Sequence, residues 1–163
     1  MLGTSTSIGL MSLDDNFHVP FPKNTSYLIT SYYGLRNDPI NDGKEEFHNA
    51  VDLVAYGSKN VVASANGTVI DYYISEITGE TVIIEHELDG IIYRTRYHHM
   101  QTNSVQVKIG QRVFAYDYIG QIGNTGQVTG FHLHFAIQKL NILTNEFEYI
   151  NPSELISELK SPQ

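Results

Sequence analysis

The sequence predicts an all-β domain built from antiparallel strands, with a short C-terminal helix. Runs of β-branched and aromatic residues recur at strand length along most of the chain. Gly, Asn and Asp interrupt them at turn spacing, as in Asn66-Gly67, Thr78-Gly79, Asp89-Gly90 and Ile109-Gly110. The length, 163 residues of which 41% are hydrophobic, suits one domain with a core of its own.

Residues 1–27 read as an N-terminal extension, stiffened near its end by Pro20-Phe21-Pro22, and residues 28–163 as the folded domain. Strands are expected over 27–31, 50–54, 61–64, 68–74, 81–86, 91–99, 112–114, 118–122 and 132–138. The helix is expected near the C-terminus. There Asn151 or Ser153 can cap it, Pro152 fits its first turn, and Leu155, Ile156 and Leu159 share a face.

Composition narrows the function. Ten Lys and Arg against 18 Asp and Glu give a formal charge of −8, which argues against nucleic acid as a partner and against adhesion to anionic surfaces by charge alone. The absence of Cys removes disulfides, thiolate nucleophiles and Cys-ligated metals. No apolar run reaches the roughly 18 residues of a membrane span, so no integral membrane segment is expected. Residues 1–15 have neither a basic start nor a long apolar stretch and do not read as a signal peptide.

The histidines carry the chemistry. In His132-Leu133-His134, strand alternation puts both imidazoles on one face while Leu133 and Phe135 turn to the core. His48 and Asp52 share a face in the same way, with Val51 and Leu53 inward. A His, a carboxylate and a further imidazole make a three-ligand zinc site with an open fourth position, the arrangement that catalytic zinc requires. In Tyr97-His98-His99-Met100, alternation allows one imidazole into a site. Ile91, Tyr93, Thr95, Tyr97 and His99 form one set. Arg94, Arg96 and His98 belong to the other, which reads as solvated. His99 rather than His98 is the candidate.

In this order the pieces resemble the M23 (LytM/lysostaphin-type) zinc metallopeptidases, which cut peptide bonds in bacterial peptidoglycan. The likeness starts at Thr30-Ser31-Tyr32-Tyr33-Gly34-Leu35-Arg36 and runs through His48-Asn49-Ala50-Val51-Asp52 and Tyr97-His98-His99-Met100. It closes with Ile119-Gly120-Gln121-Ile122-Gly123-Asn124-Thr125-Gly126 and Thr129-Gly130-Phe131-His132-Leu133-His134-Phe135. The resemblance implies the LytM/duplicated-hybrid-motif fold, a folded antiparallel sheet with the site in a groove. It implies His48, Asp52 and His134 as ligands of one Zn2+ per chain, and His99 and His132 as the catalytic pair. The implied partners are peptidoglycan peptides, which places the work outside the cytoplasm, in the periplasm, the cell wall, a secretion or phage delivery. Tyr97, His86 and Arg36 are further candidates for touching substrate or supporting the ligands, although His86, on a face with Val82 and Ile84, also reads as an interior histidine. Three positions depart from the family pattern: Ala50 in place of Gly, Phe131 in place of Pro, and Ala136 in place of Glu. A catalytically silent wall-binding, regulatory or structural module of the same fold is the alternative, and such a module does not need all five site residues.

Overall fold

The computed structural model describes residues 14–162. Twelve strands appear: β1 (Ser26–Ser31), β2 (Gly34–Asn37), β3 (Glu45–His48), β4 (Val51–Tyr56), β5 (Asn60–Val62), β6 (Gly67–Ser75), β7 (Gly79–Leu88), β8 (Ile91–Met100), β9 (Arg112–Val113), β10 (Tyr118–Gln121), β11 (Leu133–Asn141) and β12 (Glu146–Ile150). The main sheet runs β1-β4-β11-β8-β7-β6-β9, every pairing antiparallel. β11 is its central member. Residues 134–139 pair with β8 along one edge. On the other edge β4 pairs with residues 133–135 and β12 with 137–141, end to end. Two further pairs, β5–β10 and β2–β3, stand apart from this sheet.

Alternation sorts the sheet into two faces. Val51 and Leu53, Leu133, Phe135 and Ile137, and Tyr93, Thr95 and Tyr97 are all buried on one side, in a core shared with Val61, Ile119 and Val82. Packing on that side excludes water from large aliphatic and aromatic surfaces, each worth roughly 1.5–3 kcal/mol when fully buried. Asp52, His134 and His98 alternate to the opposite side.

Three expectations from the sequence change here. The segment expected to be an extension packs into the core from Phe17 onward. Phe17 and Phe21 are buried, Phe17 meets His86 and Tyr93 edge-on, and Pro20 O accepts a hydrogen bond from Val62 N. A boundary at residues 27/28 therefore cuts through one packed unit, whereas residues 1–13 lie outside the described residues. The C-terminal helix is replaced by two 3-10 turns, Pro152–Glu154 and Ser157–Leu159. Asn151 caps the first, but Ile156 is extended at φ −130° and ψ 93°, because burying both Ile156 and Leu159 outweighs continuing a helix. Finally, β2, β3 and β12 were not expected. β2 and β3 form a hairpin whose Leu35 and Phe47 stay exposed, so no hydrophobic alternation marks them. Among the described residues no helix is long and apolar enough to cross a membrane.

Candidate active site

The site is built on one transverse row of the sheet. Asp52 on β4 lies directly opposite His134 on β11, and His134 lies directly opposite His98 on β8. His48, the last residue of β3, reaches the same point from the hairpin. His48 Nδ1 lies 3.1 Å from Tyr32 O. A carbonyl can only accept, so Nδ1 carries the proton and Nε2 presents its lone pair. That Nε2 stands 3.3 Å from Asp52 Oδ1, and His134 Nδ1 stands 3.2 Å from the same oxygen. His48 Nε2 and Asp52 Oδ1 are buried without a hydrogen-bond partner. Two sealed lone pairs facing each other are costly unless a cation lies between them. The ligand atoms of His48, Asp52 and His134 all fall within 4.8 Å of one another, so the residues fit a metal ion.

Asp52 is aimed from behind. Arg36 on β2 donates from Nη1 to Asp52 Oδ2 at 2.9 Å and to Ser31 Oγ at 3.0 Å, while its Nε donates to Glu46 Oε2 at 2.5 Å. This leaves Oδ1 turned to the histidines. Burial works against ionising Asp52, yet its hydrogen-bonding surroundings, His134 foremost, hold its carboxyl well below the usual carboxylate range.

His99 and His132 complete the cluster, their rings 5.3 Å apart, and His99 lies 5.7 Å from the ring of His134. His99 has a left-handed backbone, φ 62°, and its N donates to Thr78 O at 2.8 Å. Its Nδ1–H donates to Thr125 O at 2.6 Å, leaving Nε2 as an acceptor. Burial pushes the pKa of His99 down to about 4 and lowers that of His132, so both are neutral at pH 7. His132 is held by Gly130 O, 3.2 Å from its Nδ1.

The expectation for His98 is overturned as well, because its own face is the one that carries His134 and Asp52. Alternation holds through Tyr97 and His98 and fails one residue later, so both imidazoles reach the same side. His98 is 6% exposed rather than solvated, lines the cleft, and stacks on His134 at 4.8 Å with the rings 19° apart. Tyr97 and His86 lie elsewhere. Tyr97 is fully buried in the core, its hydroxyl accepting from Ser64 N at 3.0 Å and hydrogen-bonded with Thr95 Oγ1 at 2.8 Å. His86 lies between Asn66 O at 2.8 Å and Thr95 Oγ1 at 2.7 Å, on the core side of the sheet. Neither faces the cleft, which corrects the expectation of a contact there, whereas Arg36 does line it. Ser31, Tyr32 and Thr125 are supporting residues without a spacing signal, because their contacts to the site run through a hydroxyl or backbone carbonyls.

The row opens into a cleft of about 580 Å³, walled by residues 36–40 of the hairpin on one side and by Ile77, Thr78 and residues 127–129 on the other. Phe131 is not one of its walls: the ring is half exposed with Lys59 Nζ 4.8 Å from its centroid.

Residues 46–152 match the family model of peptidase family M23. The chain belongs to peptidase family M23. As a member it is 32% identical over 117 residues to the peptidoglycan DD-endopeptidase ShyA of Vibrio cholerae, which covers 72% of this chain and 26% of that protein. The M23 chain thus spans about a quarter of the length of that curated relative. Its fold matches a zinc-containing peptidase from Vibrio cholerae at TM-score 0.65 and 30% identity, over 82% of this chain and 39% of the other. It also matches the catalytic domain of the antimicrobial peptidase lysostaphin from Staphylococcus simulans at TM-score 0.63 and 28% identity, over 85% and 94%. The all-β, antiparallel LytM-type architecture is therefore the fold of this M23 chain.

Proposed function

We propose that this chain is a zinc endopeptidase that hydrolyses cross-links or stem peptides of bacterial peptidoglycan. The observation that carries the reading is the pair of sealed, facing lone pairs of His48 Nε2 and Asp52 Oδ1, with His134 Nδ1 and two neutral histidines, His99 and His132, beside them. The name of the relative, a DD-endopeptidase, supports peptidoglycan as the substrate, which puts the work outside the cytoplasm. A silent module would have no use for all five residues.

His48, Asp52 and His134 would hold the zinc, which when bound supplies a Lewis acid and brings the pKa of water towards neutrality. The chain's own groups do the rest. His99 Nε2, bare because Nδ1 is committed to Thr125 O, accepts the proton of the attacking water. His132, more open to the cleft, turns its Nδ1–H to Gly130 O and so presents its Nε2 lone pair as a second acceptor beside the attacking water. The proton taken by His99 leaves with the departing amine, which balances the hydrolysis.

Paired variants test the assignment. His48→Ala and Asp52→Ala should lose both zinc and cleavage. His99→Ala should keep zinc by metal analysis while cleavage falls by about 10²–10⁴. Near-normal turnover in His99→Ala contradicts its role.

A further inference from the structure

We propose that His98 binds the substrate, its Nδ1–H donating a hydrogen bond to a peptide carbonyl oxygen in the cleft, with Arg96 as the positioning residue that keeps the proton on that nitrogen. The inference rests on the endopeptidase reading above. Its starting point is the contact between the two side chains. Arg96 lies two residues before His98 on the same strand face, and its Nε donates to His98 Nε2 at 3.3 Å. A guanidinium has donors and no acceptor, so Nε2 must offer its lone pair. The proton of the neutral ring is then on Nδ1.

Arg96 is itself fixed in place. One Nη donates to Tyr73 Oη at 2.8 Å, and its cross-strand neighbour on β11 is Ala136. Among the described residues no carboxylate comes within ion-pair distance of Arg96, so no competing partner draws the guanidinium from the ring. The stack on His134 fixes the plane of the imidazole. His98 is not a member of the His48–Asp52–His134 cluster, and its Nδ1 has no acceptor among the described residues. The ring is largely buried, yet its Nδ1 is not among the sealed polar atoms and stays open to a partner from outside. This nitrogen belongs to a ring that lines the cleft, where a bound peptide brings carbonyl oxygens. The donor would sit beside the metal ligand His134 and help hold the chain in register for hydrolysis.

The first test reads the tautomer. In ¹⁵N-edited NMR of the zinc-loaded protein, His98 should carry its proton on Nδ1, and Arg96→Met should move the ring towards a mixture. A wild-type ring protonated on Nε2 overturns the proposal. The second test is steady-state cleavage of a soluble cross-linked muropeptide. His98→Asn keeps an N–H near the position of Nδ1 and should retain most of kcat/KM. His98→Leu should lose about tenfold, mainly through KM, with zinc content unchanged. Wild-type kcat/KM in His98→Leu overturns the donation, and so does loss of zinc from both variants. If His98→Leu does not fold, the wild-type Nδ1–H resonance decides. It should shift downfield when the peptide product is added, and an unmoved resonance overturns the proposal. A protein that cuts no wall material sinks the endopeptidase reading as well, whereas one that cuts and tolerates His98→Leu sinks the donation alone.

Discussion

Arg36 acts on the site through a single oxygen. By holding Asp52 Oδ2 and anchoring on Glu46 and Ser31, it fixes which oxygen faces His48 and His134. Supports of this kind commonly contribute 10–100-fold to metal affinity. Arg36→Gln should therefore weaken zinc binding by about that factor in competition with a chelator, while the fold survives; unchanged zinc affinity would show that the hairpin alone aims Asp52. The cluster was legible in part: Asp52 and His134 obey strand alternation on β4 and β11, whereas His48 ends a different strand, β3, and His99 reaches the cleft only because alternation fails at its left-handed backbone. His98 does obey alternation, but nothing in the sequence tells that the face it shares with Arg94 and Arg96 is the one that carries Asp52 and His134, nor that the backbone turns left-handed at His99. Tyr97 drew attention as an aromatic beside two histidines, but its position on the strand sends it to the core with Thr95.

The elements around the site are locked by a clasp between two turns. Gly79 and Gly126 both have left-handed backbones, φ 65° and 83°. A Cβ on Gly126 would sit 2.4 Å from Gly79 N, and one on Gly79 would sit 2.4 Å from Thr125 O. This close approach seats Thr125, whose Oγ1 donates to Met100 O at 2.7 Å and accepts from Glu80 N at 2.9 Å, and whose carbonyl receives His99. Gly126→Ala should cost about 1–3 kcal/mol in backbone strain alone. It should lower the unfolding midpoint and reduce cleavage more than zinc content, because the clasp serves His99 rather than the ligands. Equal losses of zinc and cleavage would contradict that division. The sequence marks Gly123-Asn124-Thr125-Gly126 as a turn, and it is one. Its task was not legible, because the partner turn lies more than forty residues earlier in the chain. The C-terminal segment failed for a related reason: Asn151 and Pro152 signal a helix start correctly, but burial of Ile156 and Leu159 decides how it continues.

At the scale of the whole molecule, one sheet separates a dry face from a working face, and the dry face contains a polar chain. His86, Thr95, Tyr97 and Ser64 are linked by hydrogen bonds within the core. Burial pushes the pKa of His86 down to about 4 from the ordinary 6.5. The folded state thus favours the neutral ring, and the unfolded chain takes up the proton first as pH falls. The stability this group contributes is complete above pH 6.5 and is lost between pH 6.5 and 4, about 3 kcal/mol in all. Denaturant unfolding should show this decline in the wild type and a flatter profile in His86→Gln, with lower stability at pH 7; equal slopes would place the acid sensitivity elsewhere. The two faces of the sheet follow from alternation in 50–54 and 132–138 and were legible. The entry of residues 17–21 into the core was not, because Phe17 and Phe21 are single aromatics without a periodic pattern.

On the proposed reading, the working face cuts peptide bonds of the bacterial wall with a metal held by His48, Asp52 and His134. Digestion of purified peptidoglycan, with the released fragments read by mass spectrometry, tests it most directly. New amino termini should appear with the zinc-loaded protein, vanish with a chelator and return when zinc is restored. A folded, zinc-bearing protein that releases no new amino termini from glycine-bridged or D-alanyl-cross-linked wall would contradict it.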